Sequence, residues 1–233
     1  MEEINRQWAK DGYKPGGHDN NCSGKHVGMM AGALALGEDV KTYHQAESRM
    51  QRHTIRTIEN AIGNKGVWGL DGCNLPAPGY PLNDFAKIYA TVSTASPVSS
   101  DERTRSLARV YSAMTTYPEL VGGTERFCTV LMQLGKGRLV AKLGADACYG
   151  VGVQACKATE QLGAVGGVGI AVKIEDGNEV ALYVTVVEVM RQLALLSDVE
   201  LQVLSGFHQP VRLNTMGVPV GLVKPDFSLV RAT

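Results

Sequence analysis

Apolar positions recur at helical spacing through the first half of the chain and at strand spacing in the second. Val27, Met30, Ala31, Leu34 and Ala35 stand at i, i+3, i+4, i+7 and i+8, which predicts an amphipathic helix over 24–36 that ends at Gly37, with this stripe inward. A second helix is predicted over 46–62, with Ile55, Ile58 and Ile62 on one face and Gly63 as its stop. Residues 68–76 read as a loop punctuated by Gly and Pro. Pro81 opens a helix carrying Leu82, Phe85, Tyr89 and Val92 inward. Ser99-Ser100-Asp101-Glu102 caps another that carries Leu107, Val110, Tyr111 and Met114 to about Tyr117.

The period then changes. Arg138 to Lys142 reads as a short strand closing on Leu143-Gly144. Val168, Ile170, Val172 and Ile174 alternate with Gly169, Ala171, Lys173 and Glu175 in a second strand. Asp176-Gly177 turns into a long helix over 178–196, and a last strand runs through 218–223 before Pro225. Helices gather early and strands late. The class expected is α+β, with helices packed on a mostly antiparallel sheet in one domain over 1–233 and residues 1–19 as a polar lead-in.

Charge narrows the functions. The 233 residues hold 23 basic and 23 acidic side chains with no long run of either sign, so nothing draws nucleic acid or an anionic membrane. No apolar run is long enough to cross a membrane, and the start Met1-Glu2-Glu3 is not that of a signal peptide. The compartment expected is the cytoplasm. The five cysteines, Cys22, Cys73, Cys128, Cys148 and Cys156, are odd in number and follow no framework spacing, which reads as thiols or ligands.

The chemistry concentrates at one place. Residues 20–26 put a thiol (Cys22), a hydroxyl (Ser23), an amine (Lys25) and an imidazole (His26) at the start of the first helix, with Gly24 between them. Asn20, Asn21 or Ser23 can cap that helix, and its positive end favours a thiolate. The same residues also suit a plain helix cap. With Cys73, the pair Cys22 and Lys25 offers donors to zinc; Asp71 and His26 are then candidates for a fourth ligand or for supporting contacts. Against that stands a pair of unrelated buried cysteines. Lys142-Leu143-Gly144 resembles the Lys-Thr-Gly element of serine acyl-transfer enzymes. Val121-Gly122-Gly123-Thr124 could offer amides to a carboxylate or an oxyanion, or be a plain turn. The glycines of 163–169 precede a strand instead of linking strand to helix, which excludes a dinucleotide loop. Cys128, Cys148, Cys156, His44, His53 and His208 read as structural.

Taken in order, five stretches resemble the hallmarks of the L-asparaginase II family, the class 3 asparaginases: 20–29, 70–76, 117–124, 137–144 and 171–177. The resemblance implies the fold of serine β-lactamases and glutaminases, an α/β/α sandwich, and hydrolysis of L-asparagine to L-aspartate and ammonia. It implies zinc held at Cys22, Lys25 and Cys73, His26 and Asp71 beside it, and an active-site lysine at Lys142. The candidate catalytic residues are thus Lys142, Cys22 and Lys25. The candidate substrate contacts are His26, Asp71, Gly122, Gly123 and Thr124.

The departure is the nucleophile. Family members place a Ser-x-x-Lys before the cysteine motif. Here Ser48-x-x-Gln51 and Ser106-x-x-Arg109 lack the lysine, and Cys22-x-x-Lys25 has cysteine in first place. An N-terminally truncated member is expected, working with a chain that supplies the missing region. The alternatives are a member acting on another carbonyl compound through Cys22 or a metal-bound water, and a silent binding subunit. Open apolar surface at the truncation predicts association, as a homodimer or with that second chain.

Overall fold

Glycine decides where the elements meet. The computed structural model describes residues 2–231 and divides into two bodies, Met1–Tyr80 and Pro81–Thr233. In the first, α1 (Glu2–Lys10) lies within the stretch read as a lead-in. A 3-10 turn (Gly17–Asp19) leads to α2 (Ser23–Ala35), α3 (Arg49–Ile62) and the hairpin of β1 (Val67–Leu70) and β2 (Pro76–Gly79).

Helix α2 packs on α3, but not through the expected stripe. Val27 and Leu34 are 58% and 65% exposed, whereas Ala33 is fully buried. The segment is apolar or small on almost every side, so spacing does not single out a face; close approach does. A Cβ at Gly32 would stand 2.5 Å from the Met50 sulfur of α3. Helix α3 begins three residues later than expected because Ser48 caps it, its hydroxyl accepting from the Gln51 N–H at 3.1 Å. The Glu38 carboxylate accepts from the Arg49 and Met50 N–H groups at 2.7 and 3.0 Å, where the helix dipole favours an anion. Gly63, at φ +82°, ends α3 as predicted.

The expected loop over 68–76 is narrower. Strands β1 and β2 pair antiparallel from Val67↔Gly79 to Leu70↔Pro76, leaving 71–75 as the turn. Pro76 and Pro78 bring no N–H to that ladder, so a strand is written there in residues that signal a loop.

The second body runs α4 (Leu82–Thr94), α5 (Glu102–Thr116), α6 (Pro118–Gly122), α7 (Phe127–Gly135), β3 (Leu139–Gly144), β4 (Cys148–Val153), α8 (Lys157–Gln161), β5 (Val168–Lys173), α9 (Glu179–Gln192), α10 (Asp198–Val203), α11 (Ser205–His208), β6 (Val211–Leu213) and β7 (Pro219–Leu222). Strands β3, β4 and β5 form an antiparallel sheet in chain order, with Lys142 opposite Gly150 and Val151 opposite Ile170. The chain is α+β, with small antiparallel sheets. Strand β4, unread in the sequence, is Cys-Tyr-Gly-Val-Gly-Val, and its glycines look like breakers. They serve the helix above. A Cβ on Gly150 would stand 2.0 Å from the Tyr89 ring, and one on Gly169 of β5 would stand 1.9 Å from the Ala86 carbonyl oxygen. Helix α4 thus lies on bare strand backbone. The glycine run before β5 is a docking surface for a helix.

Alternation sends Tyr149, Val151 and Val153 to the opposite face. There Phe127 of α7, Leu182, Val186 and Met190 of α9, and Leu204 join them in one buried cluster. The Phe127 ring centroid lies 5.3 Å from that of Tyr149 and 4.6 Å from that of Tyr183. Burying such side chains contributes about 2 kcal/mol each.

Near the end of α9 the buried Glu188 holds its surroundings together. It accepts from Arg191 at 2.7 and 2.8 Å and from Gln192 at 2.7 Å, and His208 Nε2 of α11 lies 2.8 Å from its other oxygen. The Arg191 hydrogen bond, stronger than the opposing burial, holds the Glu188 carboxyl down at about 2, against an ordinary 4.5. A carboxyl depressed in the folded chain stabilises it fully above the unfolded value and loses that stabilisation as pH falls from 4.5 toward 2. Arg191 is half-exposed and partly screened, so the loss expected across that window is about 2 kcal/mol. Denaturant unfolding at stepped pH should show it, and Glu188→Gln should flatten the slope; an unchanged slope in the variant would refute the assignment.

Gln192 reaches the C-terminal segment. Its Nε2 donates to the Phe227 carbonyl at 2.8 Å, and its Oε1 accepts from the Leu229 N–H at 2.7 Å. No helix among the described residues is long and apolar enough to cross a membrane.

Candidate functional site

One carboxylate assembles the cluster in the first body. Asp71 ends the β1 side of the hairpin, and its Oδ1 accepts from the Cys73 and Leu75 N–H groups at 2.8 and 2.9 Å. Asn74 supplies the left-handed residue of this turn at φ +63°, a conformation Asn tolerates. The main chain closes the turn again, with the Asp71 N–H donating to the Leu75 carbonyl at 2.9 Å. That leaves Asp71 Oδ2 to accept from Lys25 Nζ at 2.8 Å. Asp71 is therefore the residue that fixes both the Cys73 loop and the Lys25 amine.

Cys22 stands at the N-cap of α2, and the Asn20 side chain accepts from its N–H at 2.8 Å. None of the three expected residues, Asn20, Asn21 or Ser23, is the N-cap, and the helix has no side-chain capping hydrogen bond; Asn20 closes the turn just before it. Lys25 follows in the first turn, on the side of the hairpin loop. Around Lys25, burial works against the charge, but the Asp71 hydrogen bond and the pull of Asp71, Cys73 and Cys22 exceed it and raise the ammonium pKa. For Asp71, burial is likewise outweighed, by hydrogen bonds from Lys25 and from the Leu75 and Cys73 amides, so its carboxyl is lowered. The Cys73 thiol is pushed up, first by its hydrogen bond with Cys22 and then by burial, against the pull of Lys25. Cys22, Lys25, Asp71 and Cys73, separated by up to 51 positions in the chain, thus meet in one cluster.

His26 does not face a free surface. Its Nδ1 lies 2.5 Å from the Tyr43 hydroxyl, with the rings edge-on. Tyr43 carries no sequence signal that would have named it as the partner.

The other candidates lie in the second body. Lys142 is on β3, an edge strand, exposed, with its ammonium donating to the Leu143 carbonyl. The next N–H, that of Leu143, donates to the buried Cys128 sulfur at 3.2 Å, as does the Tyr149 hydroxyl. Cys128, buried, thus fixes the strand beside Lys142. Gly122 and Gly123 end α6, with Gly123 at φ +88°. The Gly123 N–H donates to the Glu119 carbonyl at 2.9 Å, and its own carbonyl accepts from the Thr129 hydroxyl at 2.6 Å. A Cβ on Gly122 would stand 2.5 Å from that hydroxyl oxygen. The glycines let α6 close onto α7, and the Gly123 amide is engaged in that helix end. Thr124 follows, exposed.

Among the described residues no group of three or more His, Cys, Asp and Glu is placed to hold a metal ion. The donors that do converge are two thiols and an amine, with the nearby carboxylate engaged by the loop and the amine. That set fits a soft divalent cation once the thiols and the amine give up their protons.

No curated protein matches the chain. The L-asparaginase II family model matches residues 1–225 of the 233.

Proposed function

We propose that this chain, which belongs to the L-asparaginase II family, is an asparaginase-like amidohydrolase that converts L-asparagine to L-aspartate and ammonia. Family membership supports amide hydrolysis on a small molecule. The observation that carries the reading is the assembled cluster: two thiols and an amine converge, and a carboxylate locks the loop and the amine in place.

In this reading Cys22, Lys25 and Cys73 hold zinc. When bound, the metal supplies positive charge that polarises a carbonyl. Asp71 aims the Lys25 amine and holds Cys73 on its turn. His26, steadied by Tyr43, stands one residue beyond Lys25 on α2. Lys142, as a catalytic lysine, and Gly122, Gly123 and Thr124, as substrate contacts, carry over on the strength of the resemblance, as does the serine β-lactamase-like sandwich. The attacking group is the open element, because the 233 residues hold no Ser-x-x-Lys. A serine hydroxyl needs a neighbouring base to attack an amide, which the family chemistry supplies by that pair. The five free thiols fit a reducing cytoplasm.

The test measures metal content, L-asparagine binding by calorimetry and ammonia release on one purified sample, beside Cys22→Ala. One zinc per chain and L-asparagine binding, both lost in the variant, are expected. Ammonia release by these residues alone would put the nucleophile among them, and binding without release would put it beyond them. A zinc-loaded chain that ignores L-asparagine would overturn the reading.

A further inference from the structure

The connection between α2 and α3 is organised around one tyrosine. The Tyr43 carbonyl accepts twice, from the Ser48 hydroxyl at 3.1 Å and from Gln51 Nε2 at 2.9 Å. Both donors are buried, Ser48 as the cap of α3 and Gln51 in its first turn. The same Gln51 nitrogen lies 3.3 Å from the Met29 sulfur of α2. Gln51 Oε1 is buried as well and meets no donor among the described residues. A buried polar group left without a partner needs a reason; here the amide is turned so that its N–H groups reach Tyr43 and α2. Helix α3 thus fixes the main chain at residue 43, and through it the phenol.

The phenol lies against His26. Its oxygen is 2.5 Å from Nδ1, and the rings stand edge-on. The His26 N–H donates to the Cys22 carbonyl at 3.3 Å, one helical turn back, so the imidazole shares the face of α2 that begins at Cys22. A neutral imidazole carries one ring proton, and the hydrogen bond made at one nitrogen decides which of the two holds it. The Tyr43 hydroxyl has no other partner among the described residues. With the proton on Nδ1, the phenolic O–H would meet no acceptor. With the O–H donating to Nδ1, both groups are satisfied and the ring proton stands on Nε2. That nitrogen has no partner among the described residues.

We propose that Tyr43 is a positioning residue: it donates to His26 Nδ1, keeps the ring proton on Nε2, and so makes His26 a hydrogen-bond donor to an oxygen of the substrate. A carboxylate, such as that of L-asparagine, only accepts, and a fixed N–H suits it. In this role His26 is not the base that activates a nucleophile, because its one ring lone pair is engaged by Tyr43. The substrate half of the inference rests on the proposed function, in which His26 touches L-asparagine. The tyrosine half does not.

The test is long-range proton–nitrogen NMR of the histidine rings in the full chain at neutral pH, with the His26 signals assigned by their loss in His26→Ala. A protonated Nε2 and a bare Nδ1 are expected in the wild type. A mixture of tautomers is expected in Tyr43→Phe, which keeps the edge-on ring and lacks the hydroxyl. A proton on Nδ1 in the wild type overturns the proposal, as does an unchanged His26 spectrum in Tyr43→Phe. The wild-type spectrum decides by itself should that variant fail to fold. Calorimetry with L-asparagine reads the substrate half. Tyr43→Phe should weaken binding about 10-fold, the size of one hydrogen bond, with zinc content unchanged. In a His26→Ala background the same change should cost nothing more. A further loss there, or wild-type affinity in Tyr43→Phe, overturns the substrate contact. If the wild type binds no L-asparagine, the proposed function and the substrate contact fail together, while the spectra still decide the role of Tyr43.

Discussion

Gly169→Ala is expected to destabilise the second body by about 4 kcal/mol, enough to unfold a domain of ordinary stability in part at 37 °C. The new methyl would stand 1.9 Å from the Ala86 carbonyl oxygen and 2.7 Å from the Ala90 nitrogen. Both are main-chain atoms of α4, so no rotamer change relieves the clash. The helix must lift, and with it the contacts along Gly150 and Gly152, where a Cβ would meet the Tyr89 ring and the Tyr89 carbonyl at 2.0 and 2.5 Å. Gly206→Ala is the control, since a Cβ there meets nothing within 4 Å. Denaturant unfolding of the two variants side by side checks the claim, and equal midpoints would defeat it.

On the proposed function, Asp71→Ala is expected to lower kcat/KM for L-asparagine by about 100-fold or more, since groups that orient the donors of a metal site commonly carry 10- to 100-fold effects and this one would orient two. Without the carboxylate, the Cys73 and Leu75 amides lose their acceptor and Lys25 loses its anchor. Asp71→Asn separates the two jobs. Its side-chain oxygen can still accept both amides, while the charge facing Lys25 is gone, so a loss of about 10-fold is expected. Steady-state kinetics with zinc content on the same samples tests this. Wild-type turnover in Asp71→Ala would remove Asp71 from the site.

The cluster was largely legible in the sequence because its residue types are rare together. Cys22, Lys25, Asp71 and Cys73 were all named, and the structure joins them. What spacing alone could not give was the division of labour: Asp71 as organiser of the turn and of Lys25, or Tyr43 as the partner of His26. The fold was legible wherever side chains carry the pattern, as in β5, α3 and α9. It failed where glycine or proline does. The inner face of α2 is chosen by the approach at Gly32, β4 hides behind its glycines, and β2 behind its prolines. For α2 and β4 the missing residue is a neighbour far along the chain, Met50 and Tyr89, which no local window contains.

Gln192 holds the C-terminal segment by one main-chain carbonyl and one main-chain N–H, at Phe227 and Leu229. An amide that pairs with backbone does not read side chains. The segment from Phe227 to Leu229 is thus free to drift in sequence without leaving its place, provided that position 229 never becomes proline. Its position is inherited through α9, while its surface remains open to change.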